Sequence, residues 1–347
     1  MSTIDVTVSG TPLIELDQVS RTFKVPGGTI RAVDSVSLAI AAGEALCIVG
    51  ESGCGKTTTG RMLAGILRPS SGRLLYQGQD VWEKKGKELS VFRRSVQLVH
   101  QDPYASLNPT RTVFQTLSAP IFRHKKARGN KDATNRVREL LQTVGLTPPD
   151  DFLVKYPHQL SGGQRQRVAI ARALTVDPRV IVADEAVSMV DVSIRISLLN
   201  LLLGLRSEMG VSIVLITHDL AVARYFARAG RIGVMYLGRM VELAQSEVLV
   251  SDPAHPYAVA LIAAIPEADP RITRGKERVA LKTAEVPSLL ALPPGCTFHP
   301  RCPLAEPGLC DVEVPQLLPL PDETPREVAC HVAIRERQPA AELIRTS

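Results

Sequence analysis

Two stretches of this chain carry residues arranged for phosphate chemistry. Gly50-Glu51-Ser52-Gly53-Cys54-Gly55-Lys56-Thr57, with Thr58 next, fits the spacing G-x-x-x-x-G-K-S/T. Glycines at that spacing let backbone N–H groups turn inward on phosphate oxygens, and a helix starting at the lysine adds its positive end. Lys56 would then reach the β- and γ-phosphates of a nucleotide, and Thr57 would hold Mg²⁺. The second stretch opens with Leu160-Ser161-Gly162-Gly163-Gln164, a small-residue loop leading into a helix. That is another anion device, although it is equally an ordinary helix cap. The same stretch ends in Val180-Ile181-Val182-Ala183-Asp184-Glu185. A carboxylate at the end of a buried strand needs a cationic partner, which Mg²⁺ would supply to Asp184. Glu185, facing elsewhere, can polarise an attacking water. Two phosphate devices in one chain require two ligands, or one ligand shared between two chains.

Two lone residues could complete such a site. Gln101 follows an apolar run at 96–99, where an amide can ligate Mg²⁺ or orient water without adding charge. His218 follows the run 213–217 and could touch a γ-phosphate. Taken alone, Gln101 reads as a loop surface residue and His218 as a structural strand-end histidine.

The elements that would position these residues are legible as apolar runs. Ala45 to Val49 is a continuous buried strand, and a helix is predicted over 56–67. Residues 13–49 alternate apolar and polar with turn signals at Pro26-Gly27-Gly28 and Ala41-Ala42-Gly43, which predicts short strands. Helical periodicity fills 110–178, with 123–131 as an exposed loop. Further strands are predicted at 180–184, 212–217 and 231–236. Apolar strands alternating with helices imply an α/β fold with a mainly parallel sheet covered on both faces. The predicted organisation is a nucleotide-binding domain at 12–245 with a helical subdomain at about 105–178, a C-terminal region at 246–333, and a tail at 334–347. Residues 1–12 read as a leader and 266–290 as a linker.

Composition narrows the class. Across 347 residues, 45% are hydrophobic and 22% charged, as in an ordinary globular protein. Aromatic content of 4% does not suggest base-stacking platforms, and the net charge of +6 is modest, so no nucleic-acid partner is predicted. No apolar run reaches the roughly 18 residues a membrane span requires. The N-terminus lacks a basic region before an apolar stretch. A cytosolic chain with reduced cysteines is expected.

The order of these residues resembles the ATP-binding subunits of ABC transporters. It runs through Phe23, the P-loop, Gln101, the LSGGQ stretch at 160–164, Asp184-Glu185, Asp191 and His218. Gln101-Asp102-Pro103-Tyr104-Ala105-Ser106-Leu107-Asn108-Pro109, Val234 to Arg239 with Val241-Glu242, His255-Pro256-Tyr257 and Cys296 to Pro303 are similar to the oligopeptide/dipeptide importer branch. The resemblance implies the P-loop NTPase ABC ATPase fold with a helical subdomain and a small Cys-rich C-terminal appendage. It implies ATP hydrolysis that energises peptide import. Phe23 would stack on adenine. Gly50, Ser52, Gly53, Cys54, Gly55, Lys56, Thr57 and Thr58 would cradle phosphate, and Thr57, Gln101 and Asp184 would hold Mg²⁺. Glu185 would be the general base, with His218 and Gln101 sensing the γ-phosphate. Ser161, Gly162, Gly163 and Gln164 would close over ATP on a partner subunit, with Asp191 in the loop crossing the dimer. Implied partners are a second ATP-binding subunit (a paralogue), two transmembrane permease subunits and an extracytoplasmic solute-binding protein, with this chain on the cytoplasmic face of the membrane. The same motor could carry nickel, an oligosaccharide or an antibiotic, and a non-transport ABC ATPase is a further alternative. The chain departs from the family at Ala186, at Ser188-Met189-Val190-Asp191 and at His100, without losing a catalytic group.

Six cysteines remain to be placed. Cys47 reads as core filler, and Cys54 as an exposed, oxidisable P-loop thiol pointing away from phosphate. Cys296, Cys302, Cys310 and Cys330 are spaced C-x₅-C-x₇-C-x₁₉-C. Four thiols in a Pro-rich segment with little core suggest a stapling metal, but the C-x₂₋₄-C knuckles common at zinc sites are missing. Some members of the branch carry a 4Fe–4S cluster on cysteines of this motif, so the resemblance implies that cluster here. Zinc and free or disulfide-forming cysteines stay open, with His299 and His331 as spectators.

Overall fold

The computed structural model describes residues 11–265, 280–321 and 324–346. The leader up to residue 10 and the linker over 266–279 lie outside them. Two sheets organise the molecule. Strands β1 (Ile14–Val25), β2 (Gly28–Ile40), β4 (Ser71–Tyr76) and β5 (Gln79–Asp80) form an antiparallel sheet in the order β2-β1-β4-β5. The expected short strands at 13–49 are instead a hairpin of two long ones. Its turn signal is real, but the second expected turn falls between sheets. That turn leads from Ile40 to β3 (Ala45–Val49).

The larger sheet adds β6 (Val96–Val99), β7 (Val180–Asp184), β8 (Ser212–Ile216), β9 (Arg231–Tyr236) and β10 (Arg239–Gln245). It runs β10-β9-β3-β8-β7-β6, parallel from β9 to β6, with β10 antiparallel to β9. Strands β3, β7 and β8 are buried at every position. Their side chains alternate between two cores. Ala45, Cys47, Val49, Ile213 and Leu215 face one, while Leu46, Ile48, Val214 and Ile216 face the other, beside the antiparallel sheet.

Helices cover this frame. Helix α1 (Lys56–Leu63) follows β3 directly. It stops short of the predicted residue 67 because Gly65 takes φ +62° against the Phe92 ring, where a Cβ would lie 2.3 Å from Cε1. Next come α2 (Gly86–Ser95) and α3 (Pro103–Ser106). The helical insertion comprises α4 (Val113–Arg123), α5 (Asn130–Thr143), α6 (Asp150–Leu153) and α7 (Gly162–Leu174). Reciprocal capping boxes fix two of these starts: Thr112 with Gln115 at α4, and Ser161 with Gln164 at α7. Then follow α8 (Val192–Met209), α9 (Leu220–Phe226), α10 (Ser246–Ser251) and α11 (Pro256–Ala263).

The C-terminal region does not stand apart as an appendage. Strands β11 (Leu318–Pro319) and β12 (Arg326–Val328) extend the main sheet, with Val328 opposite Glu242 on β10. Phe298 and Cys302 lie in the same core as Tyr236 and Tyr257.

Candidate functional site

The P-loop runs from the end of β3 to the start of α1. Its glycines are dictated by close approach. A Cβ on Gly50 (φ +155°) would sit 2.1 Å from the Met235 carbonyl oxygen, and one on Gly55 (φ +106°) would sit 2.2 Å from that of Ala32. Lys56 is folded back into its own loop, donating at 2.8 Å to the carbonyls of both Gly50 and Glu51. Thr57 Oγ1 donates to Asp184 Oδ1 at 3.0 Å, so the two Mg²⁺ candidates meet across α1 and β7. Burial pushes the Asp184 carboxyl above the usual carboxylate range, and the adjacent Glu185 adds to this. A divalent cation on these oxygens would supply the missing positive charge, so the pair fits such an ion.

Parallel neighbours β6, β7 and β8 bring three further residues together at their carboxyl ends. Gln101 Nε2 donates to Glu185 Oε2 at 2.8 Å, and His218 Nδ1 lies 3.2 Å from Oε1. Glu185 itself takes φ +46°, a left-handed conformation uncommon for a side chain of its kind. Its N–H donates to the Ile216 carbonyl at 2.9 Å, which pins that geometry to β8. Both carboxylate oxygens are thus held by the loops after β6 and β8. The site is open, with His218 exposed.

The small-residue loop lies elsewhere. Ser161 is exposed, its Oγ accepting from the Gln164 N–H at 3.2 Å while Gln164 Oε1 accepts from the Ser161 N–H at 2.9 Å. Among the described residues, neither side chain's hydrogen bonds reach 50–57. The two glycines differ. A Cβ on Gly162 would meet open space, whereas one on Gly163 would lie 2.6 Å from Ile194 Cγ2. Asp191 is exposed at the start of α8 and makes no capping bond with its side chain. Phe23 is half-buried on β1, with the Arg21 guanidinium 4.8 Å over its ring.

Some residues at the site escape sequence reasoning. Arg165, on the helix opened by Ser161, lies 3.7 Å from the Tyr104 ring centroid and donates to its hydroxyl. It ties the loop after Gln101 to the small-residue helix. Tyr257 and Arg301 reach the P-loop at Glu51. Their motifs are visible in the sequence, but the 250-residue separation of Arg301 from Glu51 leaves no spacing signal.

The cysteines divide as follows. Cys47 is buried in β3. Cys54, expected to be exposed, is 2% exposed, and burial pushes its thiol up, so it is not poised for oxidation. Cys296, Cys302, Cys310 and Cys330 line one small cavity with Phe298 and His255, and none forms a disulfide. Burial pushes the thiols of Cys296, Cys302 and Cys330 up, the last to about 12. Among the described residues, no group of three or more His, Cys, Asp or Glu is gathered so that it could hold a metal ion.

Comparison with known proteins assigns both halves of the chain. Residues 33–188 match the ABC transporter family, and 241–310 match the oligopeptide/dipeptide transporter C-terminal region. A probable peptide ABC transporter ATP-binding protein of Sinorhizobium fredii is 47% identical over 92% of this chain and 86% of its own length. An oligopeptide transport ATP-binding protein of Bacillus subtilis is 41% identical over 92% of this chain and 97% of its own. Among solved structures, a dimeric ATP-binding cassette in a post-hydrolysis state, bound to ADP and Pi, superposes with a TM-score of 0.60. It is 31% identical and covers 67% of this chain and 98% of that one.

Proposed function

This chain belongs to the ATP-binding subunits of ABC transporters, in the oligopeptide/dipeptide branch, and from that premise we propose how its residues divide the work. The chain hydrolyses ATP to drive peptide import, acting with membrane permease partners. Among the described residues, no helix is long and apolar enough to cross a membrane. Its kinship with this branch supports a solute path through two permease subunits, with this chain peripheral on their cytoplasmic side. A paralogous second ATP-binding subunit and an extracytoplasmic receptor protein complete the assembly.

The P-loop N–H groups and Lys56 bind the nucleotide phosphates, and Phe23 packs against adenine. Thr57 and Asp184, joined at 3.0 Å, are the residues that would hold Mg²⁺, with Gln101, bonded to the neighbouring Glu185, as the third candidate. Bound there, the ion neutralises phosphate charge. Glu185 takes the proton of the attacking water, held in place by Gln101 and His218. Ser161 to Gln164 close over the nucleotide of the partner subunit, with Asp191 alongside. The observation that carries this reading is the convergence of Gln101 and His218 on the two oxygens of Glu185, at 2.8 and 3.2 Å.

Cys296, Cys302, Cys310 and Cys330 are the residues that would hold a 4Fe–4S cluster. Four unpaired thiols lining one cavity supply the number of donors that four-thiolate ligation needs. Such a group would staple the C-terminal region to the sheet.

Affinity purification of the chain from native membranes tests the transport assignment. The expected result is recovery with permease subunits and ATP-dependent peptide uptake by the reconstituted assembly. Recovery with ribosomes or DNA, or uptake of another solute alone, overturns it.

A further inference from the structure

The P-loop is gripped from outside the ATPase motifs. Glu51, its second residue, is held from several sides. Within the loop, the Cys54 N–H donates to its carbonyl at 3.3 Å. Its N–H donates to the Tyr257 hydroxyl at 3.0 Å. Its carboxylate receives Arg301 Nη1 at 3.1 and 3.2 Å. Its carbonyl accepts from Lys56 Nζ at 2.8 Å. The Tyr257 and Arg301 holds come from the C-terminal region, from α11 and from the loop between Cys296 and Cys302.

From this geometry we propose that Arg301 and Tyr257 are positioning residues for the P-loop, and that through them the thiol cavity is coupled to nucleotide affinity. Three observations carry it. First, the clasp is mostly shielded from water. The Arg301 side chain is 8% exposed and that of Glu51 30%, so the pair is screened less than a surface ion pair. Second, the clasp is rigid. The guanidinium lies 5.7 Å from the centroids of both Tyr236 and Phe298, and those rings with Tyr257 form a closed set at 4.6–5.4 Å. Third, the clasp and the cavity share one short loop. Phe298 lines the cavity, and the N–H groups of Arg301 and Cys302 both donate to the Phe298 carbonyl, at 2.9 and 3.0 Å. A change at Cys296 or Cys302 therefore moves the residue that holds Glu51.

The functional consequence follows from Lys56. Its ammonium donates to the carbonyls of Gly50 and Glu51, which leaves its third N–H for phosphate and makes the placing of those carbonyls part of the placing of the lysine. Tyr257 and Arg301 hold Glu51, and with it one of the two carbonyls that aim Lys56, from outside the cradle. They act on binding more than on the chemical step, because Glu185 and its partners are anchored on other strands. The inference rests on the reading that this P-loop binds ATP. It does not depend on whether the cavity holds a cluster, zinc or free thiols.

The test is steady-state ATP hydrolysis by the assembled transporter carrying Arg301→Ala, Arg301→Lys, Glu51→Gln or Tyr257→Phe. Arg301→Ala and Glu51→Gln are each expected to raise the ATP KM about tenfold, as loss of one charge-assisted hydrogen bond would. kcat should stay within about twofold, and the double variant should be no worse than either single one. Arg301→Lys should recover part of the KM. Tyr257→Phe keeps the ring in its aromatic setting, which guards against misfolding, and should still raise KM. Cys296→Ser should raise KM in the wild-type background and add nothing to Arg301→Ala. Unchanged KM in Arg301→Ala and Tyr257→Phe, or a fall in kcat alone, overturns the positioning role. Additivity of Cys296→Ser with Arg301→Ala overturns the coupling. Failure of the wild-type assembly to hydrolyse ATP would instead count against the function proposed above.

Discussion

Gln101 Nε2 donates to Glu185 Oε2 at 2.8 Å across 84 residues of sequence. This one bond joins the helical subdomain, which begins just after Gln101, to the carboxylate proposed as the catalytic base. The loop after Gln101 also reaches the small-residue helix, because Tyr104 stacks under Arg165. On the reading proposed above, these contacts would connect that helix to Glu185.

Glu185→Gln is expected to lower ATP hydrolysis about 10²–10⁴-fold, the range associated with losing a general base. ATP binding should persist, since the phosphate cradle is built from β3 and α1. Phosphate release and equilibrium nucleotide binding, measured on the same assembly, separate the two effects. Near-normal turnover would rule out Glu185 as the base.

Ser161 should report on the partner's site. Nucleotide photolabelling of each ATP-binding subunit in an assembly carrying Ser161→Arg should spare this chain's P-loop and deplete the partner's. The reverse pattern would exclude a ligand shared between subunits. Ser161→Ala should separately cost about 1 kcal/mol of stability, because the hydroxyl caps α7.

The two signature glycines should part company. Gly163→Ala forces a methyl group to 2.6 Å from Ile194 Cγ2, and overpacking of this kind costs roughly 1–3 kcal/mol. Gly162→Ala meets no neighbour and should leave the unfolding midpoint unchanged while weakening nucleotide on the partner. Equal destabilisation in denaturant melts would show that the loop repacks.

The strands β3, β7 and β8 that lead to Lys56, Glu185 and His218 could be read from the chain because they are buried on both faces and leave unbroken apolar runs. The residue order carried the site in the same way: Gln101, Glu185 and His218 meet because their strands are adjacent and parallel. What stayed hidden depends on contacts without local periodicity. β12 has three residues and pairs with β10 more than 80 positions away, so neither length nor pattern announces it. Helix α1 ends early because Gly65 abuts Phe92, a tertiary contact. Cys54 reads as exposed within a Gly-rich loop, yet the Gly50–Met235 contact closes over it. The clasp on Glu51 is invisible for the same reason.

Glu242 should set part of the pH dependence of stability. It is fully buried, and its two oxygens accept from the N–H groups of Ala254 and His255 at 2.9 and 2.8 Å. Burial pushes its carboxyl up to about 7, against about 4.3 in an unfolded chain. A raised native pKa means that the folded state holds the proton more tightly. Its contribution is therefore complete below about pH 4.3 and is lost as pH rises towards about 7. Urea melts across that window should show a downward slope that Glu242→Gln removes. The variant should also lose about 1–3 kcal/mol, since its amide nitrogen cannot accept one of the two N–H groups. Parallel slopes in the two proteins would assign the titration elsewhere.

The last prediction concerns the thiol cavity. Burial holds the thiols of Cys296, Cys302 and Cys330 protonated, so a metal must displace their protons, and uptake should strengthen with rising pH. Anaerobically purified protein is expected to carry iron and acid-labile sulfide in about equal amounts, near four of each per chain, with visible charge-transfer absorption. Cys302→Ser should lose most of that iron while still binding ATP, because Cys302 lies in the C-terminal region and not in the cradle. It should also lower the unfolding midpoint, since the loop carrying Phe298 would no longer be stapled. Zinc in place of iron would convert the reading to a single-ion site, and unchanged iron in Cys302→Ser would remove that residue from the ligand set.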